Sequence, residues 1–304
     1  MREAVVRSDE VVAALANGRP VVGLETSVLG QGLPFPRNAE CVERMTAAVR
    51  SWDAVPAWVA VLDGVVAAGL TDEQLARLTE PGRSIKVARR DLPVACATGA
   101  LGATTVSATI WAAHRAGIAV VATGGIGGVH SRTGDVSADL LELARTPVLL
   151  VCSGPKSIVD PLATAERLEE LGVALVGYRT SRLPFFLASE ADVDLEHRVD
   201  EPEHAARMLR ALGHLGARSA IVLCNPVPPG RAMHAGEVAA AVHSCEERAE
   251  REGVRGKDLT PFLLACMAER TLGESLEANL ALLESNASVA AEVAGALASG
   301  ARSS

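Results

Sequence analysis

Lysine is almost absent from this chain of 304 residues. The chain has 29 basic residues, and only three of them are lysine, namely Lys86, Lys156 and Lys257. A guanidinium stays protonated and is a poor nucleophile, whereas a buried amine can lose its proton and attack carbon. A lysine kept in so arginine-rich a chain is therefore a candidate for covalent chemistry, with an ordinary surface lysine as the alternative. Lys257 lies in a polar turn, and we assign it no role.

Other absences exclude whole classes of protein. No uncharged apolar run reaches the ~18 residues of a membrane-spanning helix, and the N-terminal segment lacks the pattern of a signal peptide. The formal net charge is −8 and no basic run stands out, which argues against a nucleic-acid-binding surface. A small phosphorylated ligand is compatible with this charge, because a local site can be positive on an acidic protein. We therefore predict a cytoplasmic protein without membrane or nucleic-acid partners.

The side chains available for a core are mostly aliphatic. Aromatic residues make up only 3% of the chain, while hydrophobic residues make up 49%. The six cysteines are scattered, with no C-x-x-C pair. This spacing predicts six reduced, mostly structural thiols and no zinc site.

Strand-like and helix-like runs alternate along nearly the whole chain. The predicted strands are residues 20–25, 57–62, 118–123, 147–152, 173–176 and 219–224. Three helices are predicted over residues 36–52, 236–253 and 275–298. Three more are predicted from their first residues: one after a capping box at Thr71–Gln74, one capped by Ser137 and one starting at Asp160. Such alternation is typical of an α/β protein whose central sheet is covered by helices on both faces. We predict a single domain over residues 1–298 and a flexible tail over 299–304.

Two side chains with useful chemistry lie at the end of a predicted strand or in the loop just after one. Glu25 ends the first strand, and Lys156 follows the strand at 147–152 after Ser-Gly-Pro. Ligands of open α/β sheets bind at the carboxyl ends of the strands, so both residues are placed for catalysis. For Glu25, the role of a loop or helix cap is an equally good interpretation of the local sequence.

A glycine-rich segment follows the strand at 118–123. Thr123 is followed by Gly-Gly-Ile-Gly-Gly-Val and then by His130. Backbone N–H groups next to glycine can approach an anion closely, which favours phosphate binding over a purely structural turn. His130 could assist, although a lone histidine is more often a structural hydrogen-bonding group.

Charged residues near these segments are weaker signals. Asp135 and Asp139 flank the start of a predicted helix and could hold a hard divalent cation, but ordinary acids at a helix N-terminus explain them as well. Lys86 lies between apolar neighbours and a charged cluster. There, a phosphate contact and a solvated strand end are equally good interpretations.

Taken in order, these segments resemble the pseudouridine-5'-phosphate glycosidase family, which is related to the indigoidine-biosynthesis A proteins. The resemblance covers about residues 5–298. Its most specific blocks are LETSVLGQGLPFPRN, ATGGIGGVH, DVSADLLELARTPVLLVCSGPKSIVD, LVGYRT, NPVP and TPFLL. Several long blocks in one order are more specific than any single motif.

The resemblance implies an activity, in which the C–C bond between uracil and ribose in pseudouridine 5'-phosphate is cleaved to uracil and ribose 5-phosphate. It implies Glu25 as proton donor, Lys156 as the nucleophile that forms an adduct with ring-opened ribose, and Asp135 as the ligand of a Mn²⁺ cofactor. The implied substrate-binding positions are Lys86, Val106, Thr123, Ser137, Ala138, Asp139 and Asn279. The resemblance also implies a three-layer α/β/α sandwich around a central mixed sheet, assembled as a homotrimer.

Two features depart from the pattern of that family. The family usually has a longer stretch before the metal-binding aspartate, whereas only four residues separate His130 from Asp135 here. That shortening leaves the loop's shape and metal affinity open. The lysine motif reads Ser-Gly-Pro-Lys-Ser rather than Ala-Gly-Ala-Lys-Ser, and Pro155 fixes φ before Lys156 without touching the amine.

Two other functions share parts of this pattern. Another Schiff-base lyase or aldolase acting on a sugar phosphate would need the lysine and the phosphate site but no uracil pocket. A non-catalytic sensor of nucleotides or phosphosugars would need no nucleophile, and the presence of Glu25 and Lys156 argues against it.

Overall fold

The structure, a computed structural model, describes residues 4–130 and 134–301. Within them one sheet contains β1 (Val6–Arg7), β2 (Val21–Leu24), β3 (Val55–Leu62), β4 (Val65–Ala68), β5 (Ile85–Val87), β6 (Gly102–Thr104), β7 (Val120–Ala122), β8 (Leu149–Cys152), β9 (Ala174–Tyr178), β10 (His197–Val199) and β11 (Ile221–Cys224). The helices are α1 (Asp9–Ala16), α2 (Arg37–Arg50), α3 (Asp72–Thr79), α4 (Leu92–Thr98), α5 (Val106–Arg115), α6 (Ala138–Leu143), α7 (Pro161–Glu170), α8 (Pro202–His214), α9 (Ala235–Glu252), α10 (Leu259–Arg270) and α11 (Glu274–Ala301). A π-helical turn covers Val28–Gly32, and 3-10 turns cover Arg89–Asp91 and Gly256–Asp258.

The sheet is mixed, with the order β1-β4-β3-β2-β7-β8-β11-β9-β10. From β3 to β10 along this order all neighbours are parallel, whereas β4 and β6 both pair with β3 in the antiparallel sense. The strand β5 pairs with β6 in the parallel sense. The carboxyl ends of β2, β7, β8 and β11 therefore open at one edge of the sheet, where a ligand site is expected.

Helices cover both faces of the sheet. Alternate residues of a strand point to opposite faces, and Val120 and Ala122 accordingly lie in one buried cluster while Val121 lies in another. The first cluster includes side chains of α2, α8 and α11, and the second includes side chains of α1, α5 and α6. This arrangement confirms the predicted three-layer α/β/α fold.

The last helix, α11, forms the inner wall of one layer. It packs on α2, α8, β2, β7 and β8. By length and composition, Glu274–Gly300 would be enough to cross a membrane, with a mean hydropathy of 1.2, yet 61% of its most apolar window is buried inside the molecule. Such burial is the property of a core helix in a globular fold.

Most of the predicted elements are present, with ends shifted by one to three residues. The capping box is confirmed, because Gln74 N donates to Thr71 Oγ1 at 3.3 Å while Thr71 N donates to Gln74 Oε1 at 2.9 Å. The predicted caps Ser137 and Asp160 accept from Asp139 N at 3.2 Å and from Ala163 N at 2.9 Å. The sequence analysis did not identify β1, β4, β5, β6 or β10, which are only two to four residues long.

Two predictions need correction or qualification. Cys245 and Cys266 form a disulfide between α9 and α10, so the prediction that all six cysteines are reduced is wrong. The other four are free thiols. Helix α11 continues to Ala301, into the segment predicted as a tail, and residues 302–304 lie outside the described residues.

Candidate active site

Two adjoining cavities lie where the strands β2, β7 and β8 end. The smaller holds about 440 Å³ of empty space and the larger about 1470 Å³, both counted with their openings to solvent. We call them the small cavity and the large cavity. Four residues line both of them: Ser27, Lys86, Lys156 and Thr260. One elongated ligand could therefore reach from one cavity into the other.

Glu25 lies in the wall of the small cavity, immediately after β2. Its side chain is only 3% exposed. The hydroxyl of Ser27 donates to one carboxylate oxygen and the hydroxyl of Thr123 donates to the other. A carboxylate held in this way, in a nearly dry wall, can take up or release a proton at a fixed place. A carboxylate that caps a helix or loop accepts hydrogen bonds from backbone N–H groups. Glu25 accepts from two side-chain hydroxyls instead, so the structure does not show it as a cap.

Lys156 reaches both cavities from the loop that follows β8. Its backbone N–H donates to Ile126 O at 2.9 Å, and Gly154 O accepts from Ile126 N at 3.1 Å. The lysine loop and the glycine-rich loop are thus joined by backbone hydrogen bonds. Gly154 has φ +75°, and a Cβ there would lie 2.0 Å from Pro184 O, so only glycine fits this turn.

A buried asparagine fixes the other side of the glycine-rich loop. Asn286 of α11 is fully buried, and its amide donates to Thr123 O at 2.9 Å and to Ser153 Oγ at 3.1 Å. Its own amide oxygen accepts from Asn225 Nδ2 at 2.9 Å. Buried polar groups in one connected network rigidify their surroundings. The ends of β7, β8 and β11 are thereby held to α11.

Asp139 organises backbone donors in the wall of the large cavity. It is 6% exposed, and its two oxygens accept from Ser107 N at 2.9 Å and from Gly127 N at 3.0 Å. Ser137 and Ala138 begin α6 and line the same cavity. Because both oxygens of Asp139 are engaged by N–H groups, this carboxylate positions the glycine-rich loop and the start of α5.

Asp135 is exposed, and it lines the large cavity together with the partly buried His130. The His130 ring bonds the backbone of Ile158, and burial lowers the pKa of its imidazole despite the nearby Asp135 carboxylate. The residues 131–133 of the shortened loop between them lie outside the described residues. Across residues 4–130 and 134–301, no three His, Cys, Asp or Glu side chains come together as a metal site.

The remaining predicted site residues are placed as follows. Thr123, Lys86 and Asn279 line the small cavity. Val106 begins α5 and packs its side chain in the core, at 1% exposure. Val106 lines neither of the two cavities, whereas its neighbour Thr105 lines the large one. The side chain of Lys257 lies outside what the structure describes.

Sequence reasoning missed several wall residues of the small cavity. They are Ser27, Gln31, Phe186, Thr260, Pro261 and Leu264. The last three belong to α10 and lie within the TPFLL block, for which no role was predicted. Gln31 lies in the LETSVLGQGLPFPRN block, in the π-helical turn. Phe186 stands in no quoted block, and its ring packs on Gly124 and Gly125.

Comparison with known proteins gives consistent matches over nearly the whole chain. Residues 10–296 match the family described as indigoidine synthase A like protein. A pseudouridine-5'-phosphate glycosidase of Herpetosiphon aurantiacus is 48% identical over 296 residues, covering 96% of this chain and 98% of that protein. Another, of Hahella chejuensis, is 45% identical over 291 residues, with 94% and 96% covered.

Two solved structures are similar in fold and in sequence. A prealnumycin C-glycosynthase, solved in complex with ribulose 5-phosphate, matches with a TM-score of 0.91 and 37% identity, covering 100% of both chains. An indigoidine synthase A-like protein of Thermotoga maritima matches with a TM-score of 0.89 and 37% identity, covering 97% of this chain and 96% of that one.

Proposed function

Because this chain belongs to the indigoidine synthase A like family, we propose that it is a pseudouridine-5'-phosphate glycosidase. The observation that carries the proposal is the cavity wall shared by Glu25, which follows β2, Lys156, which follows β8, and Lys86 of β5. It joins a buried carboxyl group, a cation and an amine, which are the groups that cleavage of a C-glycoside needs. The relatives of the same name, at 45% and 48% identity, support the assignment.

The chemistry follows from the lack of a heteroatom leaving group at the glycosidic bond. The Lys156 amine forms a bond to C1' while the C1'–O4' bond breaks and O4' takes up a proton, and the nitrogen, now bonded to C1', loses a proton. The nitrogen lone pair then forms an iminium as the C1'–C5 bond breaks, and a proton is delivered to C5 of uracil. Water hydrolyses the iminium, which releases ribose 5-phosphate and the free amine. Glu25 is the proton carrier in this sequence, positioned by Ser27 and Thr123.

The phosphate and the cation belong in the large cavity. Lys86, the hydroxyl of Ser137 and the first backbone N–H of α6, at Ala138, line this cavity and would provide donors for a phosphate. We assign a Mn²⁺ ion to the Asp135 carboxylate, held otherwise by water. Such an ion supplies positive charge next to the phosphorylated substrate and orders water. Val106 and Asn279 complete the proposed substrate contacts.

The test is incubation with pseudouridine 5'-phosphate and Mn²⁺, with chromatographic detection of uracil and ribose 5-phosphate. Uridine 5'-phosphate is the matched control, because it differs only in the atom that joins base and sugar. Borohydride added during turnover should leave ribose phosphate mass on the peptide that contains Lys156. Absence of uracil release with every divalent cation tried would rule out the proposed activity.

Synthesis of a C-glycoside is a second candidate function. Its support is the similarity to the C-glycosynthase solved with ribulose 5-phosphate. The same amine would hold the sugar phosphate as an iminium while an electron-rich ring carbon attacks C1'. Incubation with ribose 5-phosphate and uracil tests this direction, and the ratio of the forward and reverse products at equilibrium decides which reaction is favoured.

Two further properties complete the proposal. We assign the protein to the cytoplasm and to a homotrimer. For a chain of 31.5 kDa, light scattering on the purified protein should give about three times that mass. A mass of one chain would remove the trimer from the proposal and leave the activity untouched.

A further inference from the structure

Two residues in the wall of the small cavity each have a buried amide oxygen without a hydrogen-bond partner. In the described part of the chain only four buried side-chain polar atoms lack one, and Gln31 Oε1 and Asn279 Oδ1 are two of them. Both residues line the small cavity. A buried acceptor left unpaired is costly and is rare in native proteins. Two such acceptors in one cavity indicate a ligand that brings N–H or O–H donors.

The orientation of the Gln31 amide is fixed by its surroundings. Its Nε2 donates to Ser84 O at 3.1 Å and to Ser84 Oγ at 3.2 Å. A backbone carbonyl only accepts hydrogen bonds, so the amino group must face Ser84 and the oxygen must face away. Gly30 allows this approach, because a Cβ there would lie 2.4 Å from Ser84 Oγ.

The turn that carries Gln31 is itself anchored. Asn38 Nδ2 donates to Leu29 O at 2.9 Å and to Thr79 O at 2.8 Å. Gln31 therefore presents a single, pre-positioned acceptor, since its donor is already used. A pre-positioned acceptor favours a ligand whose donor stands at the matching place.

Uracil joined to ribose through carbon has two ring donors, N1–H and N3–H. The N3–H group lies between two carbonyl oxygens, so its natural partner is a group that both accepts and donates, such as the Asn279 amide. The N1–H group has a carbonyl on one side and a C–H on the other, and a lone acceptor suits it. We infer that Gln31 Oε1 accepts the N1–H of the base and selects the C-glycoside, because in uridine 5'-phosphate N1 carries the sugar.

This inference rests on the proposed function, and the experiment separates the two. The probes are pseudouridine 5'-phosphate and its N1-methyl derivative, and the enzymes are the wild type and Gln31→Met. Methionine keeps the length of the side chain but lacks the acceptor. The wild type should prefer the unmethylated substrate by about 100-fold or more in kcat/KM, since a site built around a hydrogen bond strongly rejects the analogue without it. In Gln31→Met this preference should fall by at least about tenfold.

Two comparisons guard against a purely structural effect. Gln74 is the other glutamine of the chain and lies in the capping box of α3, so Gln74→Met should leave the preference unchanged. Borohydride trapping of ribose 5-phosphate on Lys156 uses no base, so Gln31→Met should form this adduct as the wild type does. Ser84→Ala removes one of the two bonds that orient Gln31 and should weaken the preference in part.

Each result has one meaning. An unchanged preference in Gln31→Met, with normal adduct formation, overturns the inference and leaves the proposed function intact. If Gln31→Met does not fold, the same comparison is made with Gln31→Leu, which also lacks the acceptor, and an unchanged preference there has the same meaning. If the wild type releases no uracil from pseudouridine 5'-phosphate, the proposed function fails and the inference fails with it.

Discussion

Lys156 and Lys86 line the same cavity, yet the proposed mechanism asks different chemistry of them. Lys156 must become a neutral amine, whereas Lys86 only has to carry a charge. Lys156→Arg should abolish uracil release while substrate binding stays within about tenfold, or about 1.4 kcal/mol, because a guanidinium keeps its charge but is no nucleophile. Lys86→Arg should retain cleavage and change mainly KM.

The pair of variants is measured by uracil release and by equilibrium binding of the substrate. Both substitutions remove a lysine and keep a positive charge, so each controls for the other. An active Lys156→Arg enzyme would exclude the covalent route and leave Glu25 acting through water. Equal loss of activity in both variants would point to a common structural effect.

Single residues differ in how far the sequence could predict them. Glu25 and Lys156 were identified because each follows an apolar strand, and the edge of a parallel sheet gathers such positions. Asn286 carries no comparable signal. Its amide bonds Thr123 O across 163 positions of sequence, and an asparagine inside a long helix has no pattern that predicts such a contact. The empty acceptor of Gln31 likewise depends on packing around Ser84.

At the scale of elements, the lysine loop depends on one glycine. Gly154 and Gly82 have nearly the same φ, +75° and +73°. A Cβ at Gly154 would lie 2.0 Å from Pro184 O, whereas a Cβ at Gly82 would have no atom within 4 Å. Gly82→Ala should cost about 1–2 kcal/mol, the strain of a left-handed residue. Gly154→Ala should cost clearly more and displace Lys156, lowering kcat by about 100-fold or more. Denaturant unfolding and uracil release measure the two effects, and equal losses in both variants would contradict this account.

The disulfide between Cys245 and Cys266 joins α9 to α10, and α10 contributes Thr260, Pro261 and Leu264 to the cavity wall. Replacing both cysteines by serine should lower the free energy of unfolding by up to about 3 kcal/mol, since the bond closes a loop in the unfolded chain. KM should rise, because the wall is held less firmly. Dithiothreitol should reproduce both changes in the wild type and have no further effect on the double variant. Unchanged stability and KM would show that the bond supports neither the fold nor the wall.

The prediction of six free thiols failed for a physical reason. The two bonded cysteines are separated by 21 positions and lie on different helices, so pairing depends on how the helices face each other. The type of an element was easier to predict than the disulfide, because periodic apolar runs and caps mark the helices α2, α3 and α7 directly. The strands β1, β5, β6 and β10 were missed because two or three residues are too few to show a period, whereas β7, of similar length, stands in a longer apolar run.

At the scale of the whole molecule, an acidic protein has a cavity with a small excess of basic side chains. The formal net charge is −8, yet the wall of the large cavity has four basic residues, Lys86, Arg90, Lys156 and Arg167, against the three acidic residues Asp91, Asp135 and Asp139. The first property follows directly from the composition. Composition could not predict the second property, because the four basic side chains come from three segments that only the fold brings together. Local charge, rather than net charge, decides which ligand enters.

A phosphorylated substrate should therefore be recognised through its phosphate, and in a salt-dependent way. Unphosphorylated pseudouridine should have a kcat/KM lower by about 100-fold or more, since charge-assisted hydrogen bonds contribute about 1.5–3 kcal/mol each. Raising the salt from about 0.02 M to about 0.5 M shortens the range over which charges act. The kcat/KM for the phosphorylated substrate should fall over this range, while that for the unphosphorylated one should change little. Equal rates for the two substrates, or equal salt dependence, would mean that the basic residues of the large cavity do not hold the phosphate.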